Sequence, residues 1–263
     1  MIGARQADRS TIGERIMKKR VALITGAMGG LGTALCRRLH ADGFTVVATH
    51  SPGNTTREGW LAARRDEGVS VRACELDVSN GNACDAVVRR LLEEVGAIDV
   101  LVNNAGITRD RSLRKMSAED WHAVLGTNLD SVFNMTRPVL EAMTGRGWGR
   151  IINISSVNGQ QGAFGQCNYA AAKAGMHGFT KSLALEVARH GVTVNTVSPG
   201  YLDTSMVRHM PQDVLRDRIL PQIPVGRLGK PEEVAGLVAF LVSDAGAYVT
   251  GANIAINGGQ HMY

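Results

Sequence analysis

The four-residue apolar run Val21-Ala22-Leu23-Ile24 passes directly into Thr25-Gly26-Ala27-Met28-Gly29-Gly30-Leu31-Gly32, and a helical pattern runs from Leu31 to Ala41. A strand with no polar side must be covered on both faces, which ties it to a parallel sheet between helix layers. The turn after it is laid out as T-G-x-x-x-G-x-G, with Gly26, Gly30 and Gly32 at the key positions. Glycines there permit a tight turn and close backbone approach, and the helix they open aims unpaired N–H groups at the turn's occupant. Strand, glycine turn and helix in that order are the setting in which a dinucleotide pyrophosphate is held, although the spacing is not the commoner G-x-G-x-x-G.

The alternation continues down the chain. Thr45–Ala48 reads as strand, Glu58–Asp66 as helix and Val69–Val78 as the region of a third strand. Asp85–Val95 places Val88, Leu91, Leu92 and Val95 at helical spacing, and Ile98–Val102 is a fourth strand. Ala118–Thr144 reads as one long helical segment, Ile151–Ile154 as a strand, and Tyr169–Arg189 as a helix stopped by Gly191. Val192–Val197 is a strand, Pro231–Val242 a helix with proline in its first turn, and Ala252–Ile256 the last strand. This order predicts an α/β fold over residues 17–263: a single-domain, Rossmann-type, doubly wound parallel sheet of about seven strands with helices on both faces. Residues 1–16 are polar and irregular, and predict a disordered N-terminal extension. Residues 203–229, with three prolines and no clean period, predict a substrate lid.

Of the 263 residues, 44% are hydrophobic and 20% charged, the balance of a globular chain. No apolar run approaches the roughly 18 residues of a membrane span. Arg5, Asp8, Arg9, Glu14 and Arg15 stand where a secretory signal would have an apolar core. The expectation is a cytoplasmic protein with no membrane association. Cys36, Cys74, Cys84 and Cys167 are scattered, without C-x-x-C pairs or histidines at ligand spacing. They read as buried or half-buried reduced thiols, and no metal site is expected. The net charge of +5 is not gathered into a basic, aromatic-flanked stripe, which argues against nucleic acid. Arg109, Arg111, Arg114 and Lys115 form a local basic excess.

The end of the second strand bears on cofactor choice. Ala48-Thr49-His50-Ser51-Pro52 has no acid to take a ribose 2′-hydroxyl, and the first acid, Glu58, follows Arg57. Lack of a carboxylate removes repulsion against a 2′-phosphate, and Arg57 with His50, Ser51, Asn54 or Thr56 would hold one, so NADPH/NADP+ is favoured. Further on, Tyr169 and Lys173 stand four residues apart at the start of a helix, on one face. A phenol is a good acid near neutrality, and a neighbouring ammonium stabilises its phenolate. Ser155-Ser156 ends the fifth strand, where a hydroxyl can bond a substrate carbonyl as charge develops on it.

Together these residues resemble the short-chain dehydrogenase/reductase family over residues 18–263. The glycine turn at Thr25–Gly32, Asn103-Asn104-Ala105-Gly106, Ser156, Tyr169-x-x-x-Lys173 and Pro199-Gly200 fall in the family's order. The resemblance implies that Tyr169 is the catalytic acid/base and that Lys173 lowers its pKa and holds the nicotinamide ribose. Ser156 would polarise the carbonyl, and Asn128 would anchor a water-linked proton relay. Around the cofactor it implies Gly26, Met28, Gly29, Gly30, Leu31 and Gly32, then Ser51, Thr56 and Arg57. Leu76, Asp77 and Val78 follow, with Asp77 at the adenine, and then Asn104, Ala105, Gly106, Ile107 and Thr108. Pro199, Gly200, Tyr201, Leu202 and Thr204 complete the set beside Tyr169 and Lys173.

Within the family the chain most resembles acetoacetyl-CoA reductases of polyhydroxyalkanoate (polyhydroxybutyrate) synthesis. The stretches that carry this are Gly106–Asp110, Arg146–Arg150, Ser156–Gln160 and Asn257–Met262. It implies that Asp110, Ala163, Phe164, Gly165, Gln166 and Tyr201, with Ser156 and Gly200, meet the acyl thioester. The reaction implied is reduction of acetoacetyl-CoA to (R)-3-hydroxybutanoyl-CoA by NADPH, in a homotetramer. A 3-oxoacyl-ACP reductase is the alternative, since the basic excess suits CoA phosphates and an acidic carrier protein equally. Thr56 departs from the pattern, standing where these reductases often have a second basic residue.

Overall fold

The strand β1 (Val21–Ile24) sends Val21 and Leu23 into one hydrophobic core and Ala22 and Ile24 into another, with no member more than 3% exposed. The computed structural model describes residues 19–208 and 210–262; the expected extension at 1–16 lies outside them. Six more strands, β2 (Thr45–His50), β3 (Val71–Glu75), β4 (Val100–Asn103), β5 (Gly149–Ile154), β6 (Val192–Pro199) and β7 (Asn253–Ile256), complete the sheet. Their order is β3-β2-β1-β4-β5-β6-β7 and every pairing is parallel.

The crossover helices are α1 (Gly30–Ala41), α2 (Arg57–Asp66), α3 (Gly81–Val95), α4 (Ala118–Leu125) and α5 (Ser131–Arg146), followed by the short α6 (Asn158–Gln161) and the long α7 (Cys167–Val187). Two short helices, α8 (Ser205–Arg208) and α9 (Gln212–Val214), precede α10 (Pro231–Val242). One core packs Val88 and Leu91 of α3, Met135, Val139 and Met143 of α5, and Leu183 and Val187 of α7 against Leu23, Leu101 and Ile151. The other packs Leu35 and Leu39 of α1 and Val234, Val238 and Leu241 of α10 against Ile24, Val102 and Ile152. Emptying a fully buried site such as Leu101 to alanine costs about 2–5 kcal/mol.

One expectation is refined and one corrected. The segment 118–144 is one unbroken helical run, as expected, but it carries a π turn, Gly126–Asp130, between α4 and α5. The extra residue in that turn accommodates Asn128, whose side chain leaves the helix axis to bond the backbone of Ile107. The segment 203–229 is not irregular, because it contains α8, α9, a second π turn (Leu215–Ile219) and a 3-10 turn (Leu220–Gln222). Its ends are clasped: Leu202 bridges Gly229, and the Asp203 N–H donates to Gly229 O at 2.8 Å.

A polar ladder runs under the sheet's centre. Asn103 Nδ2 donates to Asn153 Oδ1 (2.9 Å), Asn153 Nδ2 to Thr180 Oγ1 (2.8 Å), and Thr180 Oγ1 shares a bond with Thr196 Oγ1 (2.7 Å). All four residues are buried, so each bond satisfies groups that burial would otherwise penalise. The ladder fixes α7 against β4, β5 and β6, and with it the height at which α7 delivers its side chains.

Candidate active site

The order of strands reverses between β1 and β4, and a cleft of about 1000 Å³ opens at that point, over the C-terminal ends of the strands. Its first wall is the glycine turn. Gly26 has φ +59°, and a Cβ there would lie 2.8 Å from the Ala105 Cα; a Cβ on Gly30 would lie 2.8 Å from a Thr204 methyl carbon. The first turn of α1 contains no acid and its N-cap, Gly29, supplies no side-chain bond. The helix's positive end therefore faces the cleft uncompensated, as a pyrophosphate site requires.

Thr25 explains why the glycine turn and the Asn103–Gly106 segment act together. Its Oγ1 accepts from the backbone N–H of Asn104 (2.9 Å) and of Ala105 (3.0 Å), while Asn104 Nδ2 donates to Thr25 O (2.9 Å) and Gly26 O (3.1 Å). On the β2 side, Thr49 Oγ1 and His50 Nε2 are buried polar atoms without partners, in residues lining the cleft. The glycine cradle, the bare helix end and these orphaned atoms fit a bound dinucleotide.

The candidate catalytic residues converge from the segment after β5 and from α7. Ser156 and Tyr169 both line the cleft. Lys173 lies one turn on, with its Nζ 5.6 Å from the Tyr169 ring centroid and donating to Ile154 O at 2.7 Å. The protein's own groups push the phenol up, first through burial, with the Ser156 hydroxyl opposing and the Asp110 charge reinforcing. Burial pushes the Lys173 amine down to about 7. Lys173 is not among the groups that shift the phenol, whose direction is set by its own burial. What results is a neutral phenol, the proton-donating form, beside an amine that changes charge near neutral pH.

Asn128, fully buried, accepts from the Ile107 N–H (2.8 Å) and donates to Ile107 O (2.9 Å). It sits behind the cleft lining rather than in it, close to the point where Gly106 passes Lys173 Nζ.

A scan against family models matches residues 20–215 to the family described as short chain dehydrogenase. The chain is a short-chain dehydrogenase. It is 54% identical over 246 residues to the acetoacetyl-CoA reductase of Cupriavidus necator, covering 94% of this chain and 100% of that one. It is 53% identical over 245 residues to the acetoacetyl-CoA reductase of Allochromatium vinosum, covering 93% and 99%. The 3-oxoacyl-[acyl-carrier-protein] reductase of Vibrio cholerae is 45% identical over 247 residues, covering 94% and 99%.

In this dehydrogenase the cleft gathers Met28, Gly29, Leu31 and Gly32 of the turn, Ser51, Leu76, Asp77 and Val78, and the run from Asn104 to Thr108. It also gathers Asp110, Ala163, Phe164, Gln166, Tyr169 and Lys173, and Pro199, Gly200, Tyr201, Leu202 and Thr204. Four expected residues are outside the lining. Thr56 turns inward to Asn54 Oδ1 (2.8 Å), and Arg57, 46% exposed, is 3.6 Å from Glu58. Gly165 contributes only its carbonyl, which accepts from the Arg111 N–H at 2.8 Å; Asn128 is the fourth. Arg109, Arg111, Arg114 and Lys115 are all exposed, next to Asp110 at the cleft.

Sequence reasoning missed several neighbours. Asn158 lines the cleft beside Ser156, as do Val207 and Met210 of the 203–229 segment. Ser155 Oγ donates to Lys173 O (2.9 Å) and meets His177 Nε2 at 3.0 Å, so the serine before Ser156 braces α7. The i,i+4 series Tyr169, Lys173, His177 was the available signal for that histidine. Cys167 is exposed at the start of α7, unlike the buried or half-buried thiol expected, whereas Cys36, Cys74 and Cys84 are buried.

Proposed function

We propose that this enzyme reduces acetoacetyl-CoA to (R)-3-hydroxybutanoyl-CoA with NADPH, the reaction that feeds polyhydroxybutyrate synthesis. The observation that carries the reading is the gathering of Ser156, Tyr169 and Lys173 in one cleft with Asp110, Gln166 and Tyr201. The high identity to acetoacetyl-CoA reductases over nearly the whole chain supports the choice of thioester.

The glycine turn and the first turn of α1 would hold the pyrophosphate of NADPH, Asp77 its adenine, and the Asn104–Thr108 and Pro199–Thr204 segments its nicotinamide half. The bound cofactor would supply the hydride for the 3-keto carbon. Asp77 is predisposed by its Oδ1, which already accepts from the Ser79 N–H and hydroxyl. Arg57, held only by an exposed ion pair with Glu58 at 3.6 Å, would exchange that partner for the 2′-phosphate together with Ser51 and Thr56. The keto oxygen accepts from the Ser156 hydroxyl and from Tyr169, and Tyr169 gives up its proton as the alkoxide forms. Lys173 and Asn128 then return a proton from solvent to the phenolate. Ala163, Phe164 and Tyr201 line the acyl side, and the 203–229 segment closes over it.

We place the enzyme in the cytoplasm, which suits its unpaired cysteines, and among the described residues no helix is long and apolar enough to cross a membrane. We also propose a homotetramer; exposed Phe133 on α5 and Leu185 on α7 support it. The second reading, a 3-oxoacyl-ACP reductase, is favoured by the exposed basic cluster at 109–115 and by the relative from Vibrio cholerae. Absorbance at 340 nm with NADPH or NADH against acetoacetyl-CoA and acetoacetyl-ACP decides: higher kcat/KM with NADPH and the CoA ester supports the first reading, and a strong preference for the carrier-bound substrate replaces it with the second.

A further inference from the structure

The reactive serine is the end of a hydrogen-bonded chain that reaches the far side of the cleft. The backbone N–H of Asn158 donates to Ser156 Oγ at 3.1 Å. The Asn158 side chain donates through Nδ2 to Gln166 Oε1 at 2.9 Å, and Gln166 Nε2 donates to Asp110 Oδ2 at 2.8 Å. The direction of each link is forced. A carboxylate only accepts, so Gln166 must turn its NH2 to Asp110 and its carbonyl to residue 158, which must then donate. The same links join three segments by backbone as well. Gln166 caps α7, and the Arg111 N–H donates to Gly165 O. Gly159 is pressed on Lys173 so closely that a Cβ there would lie 2.9 Å from the lysine's carbonyl carbon.

We propose that Asn158 is a positioning residue for the reduction: its N–H occupies a lone pair of Ser156 Oγ, leaving the serine hydrogen to the keto oxygen, while its amide fixes that arrangement through Gln166 to Asp110. The proposal rests on the reading of Ser156 and Tyr169 as a ketone-reducing pair. A donor on Ser156 Oγ also polarises its hydroxyl, strengthening the bond it gives. Loss of the amide frees α6 from α7 at the serine.

The relay has a polarity, and polarity can be reversed. Asn158→Asp keeps shape but leaves two acceptor-only groups facing one amide. In an Asp110→Asn background the Gln166 amide can rotate, donating to residue 158 and accepting from residue 110. Measured on acetoacetyl-CoA, Asn158→Asp is expected to lower kcat about tenfold in the wild type, more than Asn158→Ala does, and less than about twofold in the Asp110→Asn background. The same four proteins give a thermal cycle, in which the Tm loss of Asn158→Asp is expected to shrink when Asp110 is already Asn. Equal losses in both backgrounds, in kcat and in Tm, overturn the relay. Coupling in Tm with none in kcat overturns the positioning role. A wild-type protein that reduces no β-keto thioester overturns the functional reading and that role together, while the Tm cycle still reads the hydrogen-bonded chain by itself.

Discussion

The two sides of the cleft are built differently. On the β5–α7 side the reactive groups are enclosed and bonded: Lys173 is 3% exposed and bonded to Ile154 O, and Ser155, Ser156, Asn158 and Asn168 all have hydrogen-bond partners. On the side of β2 and the 203–229 segment, Thr49 and His50 hold buried atoms without partners, Arg57 stands half in solvent, and that segment is clasped at its base. Contacts on the first side over-determine geometry, which proton transfer requires. Those on the second leave groups free to meet a ligand. Substitutions on the first side should therefore strike kcat, and those on the second should strike affinity and preference.

Lys173→Met gives the largest expected effect and the sharpest contrast. It should lower kcat by about a thousandfold yet raise thermal stability. The sign follows from burial: the amine is held down to about 7 in the folded protein, against an ordinary value of 10.5. Between those values the unfolded chain binds the extra proton, so wild-type stability rises with pH there. The variant's gain in Tm should be greatest below about pH 7 and disappear as pH rises toward about 10.5. A gain independent of pH would break the account of this side as a place where stability is given up for a mobile proton.

The opposite side predicts a smaller and different change. Arg57→Ala should weaken NADPH binding about tenfold while leaving NADH binding unchanged, read by cofactor fluorescence titration. Equal weakening of both cofactors would remove the 2′-phosphate from the role assigned to Arg57. The smallest effect belongs to the cleft mouth. Replacing Arg109, Arg111, Arg114 and Lys115 by alanine should raise KM for acetoacetyl-CoA about threefold at low ionic strength, and hardly at all at about 0.5 M salt, because exposed charges are screened.

The same asymmetry governs what the amino-acid sequence discloses. The ends of β1 and α10 can be read to the residue, because an unbroken apolar run and a proline at the first helical turn are local signals. Tyr169, Lys173, Ser156 and the glycine turn are legible because spacing along one element puts them on one face. The π turn at Asn128 is not, since hydrophobic periodicity continues across 118–144 and the partner of Asn128 is Ile107, which lies 21 positions away along the chain. Asn158 and the Asn103–Asn153–Thr180–Thr196 ladder are hidden for the same reason: each link joins different strands or helices. Arg57 shows the reverse case, where its residue type and place after β2 point to a 2′-phosphate although its side chain does not line the cleft.

The central claim is that the Tyr169 phenol hands its proton to the keto oxygen, with Lys173 and Asn128 restoring it and the rest of the cleft binding and orienting. The direct measurement is single-turnover oxidation of bound NADPH by acetoacetyl-CoA in Tyr169→Phe, beside a titration of its NADPH affinity. The account predicts unchanged affinity, within about twofold, and a rate lower by at least about a thousandfold. A wild-type rate in that variant would contradict it.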